Sequence, residues 1–241
     1  MKALILCGGL GKRLGNSANG TPKPLVDIGG KPCLYYTLIK LQRIGVSELV
    51  LNTHYKPSYF KEFTESFDFN MEIKLSYEPE LLGTAGTLKK HLNWLNSGNF
   101  WVMHGDNIFD DDLLTLHQKI EKSNRSVIGG MGVFWSKNHN QVGIVRKNLK
   151  GRFVRIYEKK DFKHGYLANA ATYYFKPEIS QFVRILKSSE NDISINLLPK
   201  LARKLQVIKL QGSLIDIGTP ESLTKARESF NTMTPGVKNL D

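Results

Sequence analysis

Hydrophobic positions along the chain follow two different periods. "KALILC", "ELVLNT", "EIKLSY", "FWVMH" and "SVIGGMGVF" are short apolar runs of the length and residue type that form buried strands. Between them, "CLYYTLIKLQRIG", "KPSYFKEFTESF", "TLKKHLNWL" and "DDLLTLHQKI" space their apolar residues three and four apart, as one face of a helix does. This alternation predicts an α/β domain on a mostly parallel sheet. Beyond Asn140 the pattern changes. "VGIVRK", "RFVRIYEK" and "ANAATYYF" arrive with few helices between them, which predicts an antiparallel addition, before helical "ISINLLPKLARKL" and "PESLTKARESF". The second half is expected to form a lid or a substrate platform on the same sheet.

Length changes the picture little: 241 residues, 41% of them hydrophobic, bury a sizeable core, and we read one domain over 1–230 with a loose tail over 231–241. Charge changes it more. Lys and Arg number 34 against 22 acidic residues, a formal net charge of +12, which favours acidic partners: nucleic acid, anionic lipid or phosphorylated small molecules. The basic residues are scattered rather than gathered in a stripe with interleaved aromatics, so a nucleic-acid partner is not expected. Cys7 and Cys33, each beside apolar residues, are expected to be core thiols in a reducing cytoplasm. "MKALILC" is too short for a signal peptide, and no run approaches the ~20 apolar residues of a membrane span, so no membrane partner is expected.

The chemistry starts at Leu6 to Pro24, "LCGGLGKRLGNSANGTPKP". Gly8, Gly9 and Gly11 carry no Cβ to keep a ligand away and permit positive φ, so successive N–H groups can converge on an anion. A P-loop needs glycine where Leu6 stands and Ser or Thr where Arg13 stands. The dinucleotide fingerprint needs glycine where Leu14 stands and an acidic residue after "ELVLNT". Both fail. What remains is Gly-Gly-x-Gly-x-Arg followed by Pro-Lys-Pro. Pro22 and Pro24 fix φ and push the residues before them toward extended geometry, so Lys23 is expected on a stiff, extended segment that can aim one cation.

In open parallel sheets ligands bind beyond the carboxyl ends of the strands, where "GGLGKR", "HGDN" and "DIGTPE" all fall. Distant residues are thus expected to meet in one cleft. Structural alternatives stand beside each reading. Lys12 and Arg13 can be solvated surface charges, and Asp216 can close an Asx-turn before Gly218. Asp111 or Asp112 is the better cap for "LLTLHQKI", which leaves Asp106 free for a metal. Trp94, Trp101, Tyr173 and Phe175 have core-like spacing, and His54 and His104 have no partners at ligand spacing.

The Gly-Gly-x-Gly-x-Arg and Pro-Lys-Pro segments resemble the signature of the sugar-1-phosphate nucleotidyltransferases. Five further stretches agree in the family's order. "LLGTAGTL" is similar to the base-side loop, "HGD" to the first metal carboxylate, "YEKK" and "NAATYYF" to the sugar-contacting segments, and "LIDIGTPESLTKA" to the closing element with the second carboxylate. The resemblance implies a Rossmann-like three-layer fold with a mostly parallel mixed sheet and an antiparallel sugar-side extension. It also implies attack of a sugar phosphate oxygen on the α-phosphorus of a nucleoside triphosphate. Pyrophosphate then leaves and a nucleotide-sugar forms, and no general base is needed because the attacking phosphate is already ionised.

The resemblance further implies catalytic Arg13, Lys23, Asp106 and Asp216, with Mg²⁺, or Mn²⁺ in its place, on Asp106 and Asp216. Leu6, Gly8, Gly9, Gly11, Glu78, Gly83 and Thr84 would bind the nucleotide, and Gly143, Glu158, Lys159 and Asn169 the sugar phosphate. Thr84 stands where thymidylyl relatives carry a base-reading glutamine. "LLGTAG" looks more like guanylyltransferases acting on mannose or heptose 1-phosphates, though some uridylyl enzymes also carry Thr-Ala-Gly. Glu78 and Glu80 offer carboxylates to guanine's N–H donors and are otherwise surface charges. GTP and a manno-configured sugar 1-phosphate are therefore expected partners. A uridylyl or thymidylyl enzyme, and an inactive nucleotide-binding homologue, are the alternatives, and the protein can be a monomer or a homo-oligomer. Two positions depart from the pattern: Lys160 where proline is common, and Ala171 where the sugar-binding strand has glycine, a methyl group that would narrow the sugar site. The chain is also expected to lack the β-helix domain that larger relatives append.

Overall fold

The computed structural model describes residues 1–11, 14–15, 18–109, 113–137, 141–158, 164–211 and 214–232. In chain order its elements begin with β1 (Lys2–Leu6), β2 (Asp27–Ile28), β3 (Lys31–Pro32), α1 (Cys33–Arg43), β4 (Glu48–Thr53), α2 (Pro57–Ser66) and β5 (Glu72–Tyr77). Next come α3 (Thr84–Leu95), β6 (Phe100–His104), β7 (Asn107–Phe109), α4 (Leu114–Glu121), β8 (Gly129–Trp135), β9 (Ile144–Lys147) and β10 (Phe153–Tyr157). β11 (Leu167–Phe175), α5 (Ser180–Arg184), β12 (Leu205–Lys209), β13 (Leu214–Asp216) and α6 (Pro220–Thr232) complete the series. This is the Rossmann-like α/β fold with a mixed sheet and an antiparallel extension.

Two compact units share these elements. One takes Met1–Leu4, Leu82–Met103 and Leu113–Gln211; the other takes Ile5–Leu81, His104–Asp112 and Gly212–Asp241. In the first unit β11 is the organising strand: it pairs antiparallel with β6, β8 and β9, while β12 lies parallel to β8 and β10 antiparallel to β9. Trp101, Phe100, Tyr173, Tyr174 and Phe175 are all buried in its core. In the second unit β4 and β5 run parallel in register from Glu48↔Glu72 to Thr53↔Tyr77, and the short strands β13 and β7 form an antiparallel pair of their own.

Most strand and helix expectations hold within a few residues, and the exceptions have identifiable causes. "EIKLSY" is not buried: β5 pairs with β4 at the end of the strand order and exposes Glu72 and Lys74, which pair at 2.9 Å, the charged surface that edge strands use against aggregation. "ISINLLPKLARKL" is not one helix. Pro199 cannot donate to the turn before it, so Ile193–Leu197 forms a π-helical turn, Leu198–Leu201 a 3₁₀ turn, and Leu205 already opens β12. The N-cap of α4 is Leu113, at φ 64°, rather than an aspartate; Asp111 and Asp112 lie outside the described residues. Trp94 is half-buried, with the Lys2 ammonium over its ring, whereas Trp101, Tyr173 and Phe175 are core as expected. Cys7 and Cys33 are buried free thiols, and burial, reinforced by Asp106 and Cys33, pushes the Cys7 thiol up. Among the described residues no helix is long and apolar enough to cross a membrane.

Candidate active site

In the second unit, the last residues of β1, Ile5 and Leu6, lead into the glycine segment. Leu6 ends the strand, and its carbonyl accepts from Gly105 N–H at 3.1 Å, tying "HGD" to the start of the loop. Asn52, near the C-terminal end of β4, is buried, and its Oδ1 accepts from Cys7 N–H at 2.7 Å. A Cβ on Gly8 would lie 2.8 Å from Asn52 Nδ2, so glycine is needed there for close approach. Gly11 has φ 62°. Gly9 is exposed, and a Cβ on it would meet no described atom within 4 Å. Asn52 was not singled out from sequence; an asparagine directly after the apolar run Leu49–Leu51 was the available signal.

Lys23 opens a 3₁₀ turn, Lys23–Leu25, instead of standing in extended geometry. Leu25 N–H donates to Pro22 O at 2.8 Å and Val26 N–H to Lys23 O at 3.3 Å, and these bonds outweigh the extended preference that Pro24 imposes. The turn still aims the cation. Lys23 Nζ meets Asp106 Oδ2 at 2.6 Å, with the two side chains 11% and 26% exposed. Burial pushes the Asp106 carboxyl up, but the Lys23 ammonium, the His104 ring 4.0 Å away and the bonds the carboxylate accepts outweigh it and hold the group below its ordinary value.

α1 braces the same stretch from behind. Thr37 Oγ1 donates to Asn107 O at 3.2 Å, and the buried Lys40 ammonium donates to Phe109 O, fixing the backbone of β7 on either side of Ile108. β13 then pairs with β7 so that Asp216 stands opposite Asn107, one residue from Asp106. The backbone thus sets Asp216, on β13, opposite the residue that follows Asp106, which itself stands in the turn between β6 and β7; the Asp216 side chain lies outside what the structure describes. Glu78 is buried rather than a surface charge, its N–H donates to Thr53 O at 2.8 Å, and its carbonyl meets His54 Nδ1 at 2.8 Å. Glu80 is exposed. Arg13 lies outside the described residues.

The first unit carries the remaining predicted residues. Gly83 has φ 75° and caps α3, where Thr84 is the first helical residue. Gly143 serves the protein as well as any ligand: its carbonyl accepts from Asn169 N–H at 2.8 Å, and a Cβ on it would lie 2.5 Å from Glu158 Oε1. Gly143, Glu158 and Asn169 are therefore together, while Lys159 and Lys160 lie outside the described residues. Among the described residues no group of three His, Cys, Asp or Glu side chains is arranged to hold a metal.

Ala171 explains the departure seen in sequence. Its φ is 48°, inside a register irregularity of β11 against β8 between Asn169 and Tyr173. A methyl-bearing residue in this left-handed conformation is strained by roughly 1–2 kcal/mol. Ala171→Gly is therefore expected to stabilise the protein by about 1 kcal/mol after glycine's extra chain entropy, a rise in Tm of roughly 2–4 °C by thermal denaturation. A lower Tm would contradict the strain.

A model of the nucleotidyl transferase family matches residues 2–232. The catalytic subunit beta of mannose-1-phosphate guanylyltransferase from Dictyostelium discoideum is 33% identical over 233 residues, covering 92% of this chain, but the chain spans only 62% of that relative's length. D-glycero-alpha-D-manno-heptose 1-phosphate guanylyltransferase from Campylobacter jejuni is 32% identical over 222 residues, covering 92% of this chain and 96% of its own. Among solved structures, HddC from Yersinia pseudotuberculosis complexed with GMP-PN superposes with a TM-score of 0.78 at 26% identity, covering 95% of this chain and 99% of that one.

Proposed function

The chain belongs to the nucleotidyl transferase family, and on that footing we propose that it transfers a guanylyl group from GTP to a manno-configured hexose or heptose 1-phosphate, releasing pyrophosphate. The observation that carries the reading is the Lys23–Asp106 ion pair at 2.6 Å beside a strand pairing that sets Asp216 opposite Asn107. A cation and two carboxylate residues on braced backbone suit a reaction whose charge gathers on phosphoryl oxygens.

Each residue has a part in this reading. Gly8, Gly9 and Gly11 let backbone N–H groups approach the triphosphate, and Gly9 has no described neighbour of its own that demands glycine. Lys23 neutralises the reacting phosphates, and Arg13 holds the pyrophosphate as it leaves. The sugar phosphate oxygen attacks the α-phosphorus while the bond to the bridging oxygen of pyrophosphate breaks. Glu158 and Asn169 take sugar hydroxyls, and Lys159 takes the sugar's phosphate.

Mg²⁺ fits the donors present: Asp106 supplies hard oxygens, and this ion needs only one or two carboxylates because substrate phosphates and retained waters complete its shell. Asp106 and Asp216 would hold it, and when bound it neutralises charge on the phosphoryl oxygens. Guanine is favoured because relatives of both lengths are named as guanylyltransferases and because Glu78 is a buried carboxylate able to accept from N1–H and N2–H₂.

The test is pyrophosphate release with GTP, UTP, dTTP, CTP and ATP against a panel of sugar 1-phosphates. GTP with a manno-configured acceptor is expected to give the highest kcat/KM. A larger value with UTP or dTTP would reject the guanine reading and leave the reaction class standing; no release with any pair would reject turnover itself.

A further inference from the structure

The π-helical turn at Ile193–Leu197 and the residues leading into it make contacts in two directions within the first unit. Toward α3, Ala85 N–H donates to Asn191 O at 2.8 Å, and Ile193 N–H donates to Thr84 Oγ1 at 2.8 Å. A Cβ on Gly83 would lie 2.5 Å from Asn191 O, so this approach requires glycine as firmly as the φ of 75° does. Toward β11, Ser194 Oγ accepts from Asn169 Nδ2 at 3.3 Å. The turn itself is braced: Asp192 Oδ1 accepts from Ile195 N–H at 2.9 Å, and Asp192 N–H donates to Asn196 Oδ1 at 2.9 Å.

Asn169 is committed on three sides. Its amide nitrogen also donates to Tyr173 OH at 2.7 Å, and its Oδ1 accepts from Ala171 N–H at 3.0 Å, across the strained residue of the β11 irregularity. Both amide donors are therefore engaged, and what the side chain has left is one lone pair on Oδ1. Asn169 can accept from one sugar hydroxyl and donate to none.

We infer that the Asn191–Ser194 turn is a positioning element joining the base-side loop at Gly83–Ala85 to Asn169, and that Thr84 and Ser194 set the geometry of the sugar side through it. This deepens the proposed reaction and rests on that reading for its kinetic consequences only. Part-buried hydrogen-bond chains of this kind couple their ends, because displacing one member leaves the next short of a partner. A change at Thr84 is then felt at Asn169, although the two are separated by the whole turn.

The experiment compares Thr84→Val, Thr84→Ser, Ser194→Ala and the Thr84→Val/Ser194→Ala double variant. In substrate-free protein, backbone hydrogen exchange is read at Ile193 and Ala171. Thr84→Val is expected to speed exchange at both amides by about fivefold or more, with Thr84→Ser, which keeps the acceptor, restoring the Ala171 rate to within about twofold of wild type. In kinetics, Thr84→Val is expected to raise KM for the sugar 1-phosphate by roughly three- to tenfold, and Ser194→Ala to raise KM for GTP by about threefold. The double variant is expected to be no worse than the more affected single one.

An unchanged Ala171 rate in Thr84→Val overturns the inference, as does an equal effect of Thr84→Ser, since the acceptor is then not the link. Single variants that each alter only their own substrate's KM, with effects that multiply, also overturn it. If wild-type protein turns over no substrate pair, the proposed function has failed, and the exchange rates alone still decide the coupling.

Discussion

Lys23→Ala is expected to lower turnover roughly a hundredfold in a folded protein, about 3 kcal/mol of lost transition-state stabilisation. The Lys23 side chain, 11% exposed, is held against Asp106 by a 3₁₀ turn that Pro22 caps and Pro24 stiffens, so its position is set before substrate arrives. Lys23→Arg is not expected to restore the rate, because a planar guanidinium cannot occupy a site built for a compact ammonium at 2.6 Å from one carboxylate oxygen. The measurement is kcat for pyrophosphate release alongside circular dichroism; a folded variant with near-normal kcat would remove Lys23 from the mechanism.

The same pair has a pH signature. Asp106 titrates below its ordinary carboxylate value in the folded state, so the pairing contributes stability that is fully present above that ordinary value, near pH 4. It is lost as pH falls through the lower, folded value. Chemical denaturation of wild type and Lys23→Gln between pH 7 and pH 3 is expected to show the stability difference shrinking only in the acid limb. A difference that is constant throughout would show that the ion pair is not what separates them.

Asp106→Asn and Asp216→Asn are each expected to abolish most turnover, by about a thousandfold or ~4 kcal/mol, because each removes a hard oxygen where phosphoryl charge must be neutralised. Wild type is expected to need millimolar-range Mg²⁺ or Mn²⁺, on the order of what one or two carboxylates with substrate phosphates hold. In Asp106→Asn the released Lys23 ammonium is a further consequence, so Asp216→Asn is the cleaner test of the metal. Full wild-type activity in excess chelator would reject the assignment, and an Asp216→Asn variant with an unshifted Mg²⁺ dependence would remove that residue from the metal's shell.

Much of the fold was legible because burial imposes period. Every helix called from three-and-four spacing before Asn140 exists, and the strands end where glycine and polar residues interrupt the apolar runs. Reading failed where a local rule met a competing contact. Pro24 argues for extended geometry at Lys23, yet the Pro22 and Lys23 carbonyls bind Leu25 and Val26 and make a turn. "EIKLSY" has strand composition on both faces, and only its place at the sheet's edge makes it exposed. "NIF" and "LID" are too short to carry a period at all, and pairing with each other is what makes them strands.

The candidate residues divide in the same way. Glycine, proline and charged residue types at fixed spacing are local properties, so the glycine-rich loop, the Pro-Lys-Pro cation and the acidic residues past the strand ends could be identified from the chain itself. Which groups touch is not local. The Lys23–Asp106 ion pair joins residues far apart in the chain, Asn52 reaches the glycine loop from another strand, and Thr84 meets Ile193 across the turn. The Asp216 register opposite Asn107 likewise exists only once β7 is fixed by α1 and pairs with β13. Amino-acid sequence by itself determined the alternation of elements, the family signature and the chemical types at the site, because side-chain volume, charge and φ preference act over a few residues. Only the tertiary structure decided the partners, the buried state of Glu78 and the strained φ of Ala171, because those follow from packing and hydrogen bonds that close over long stretches of chain.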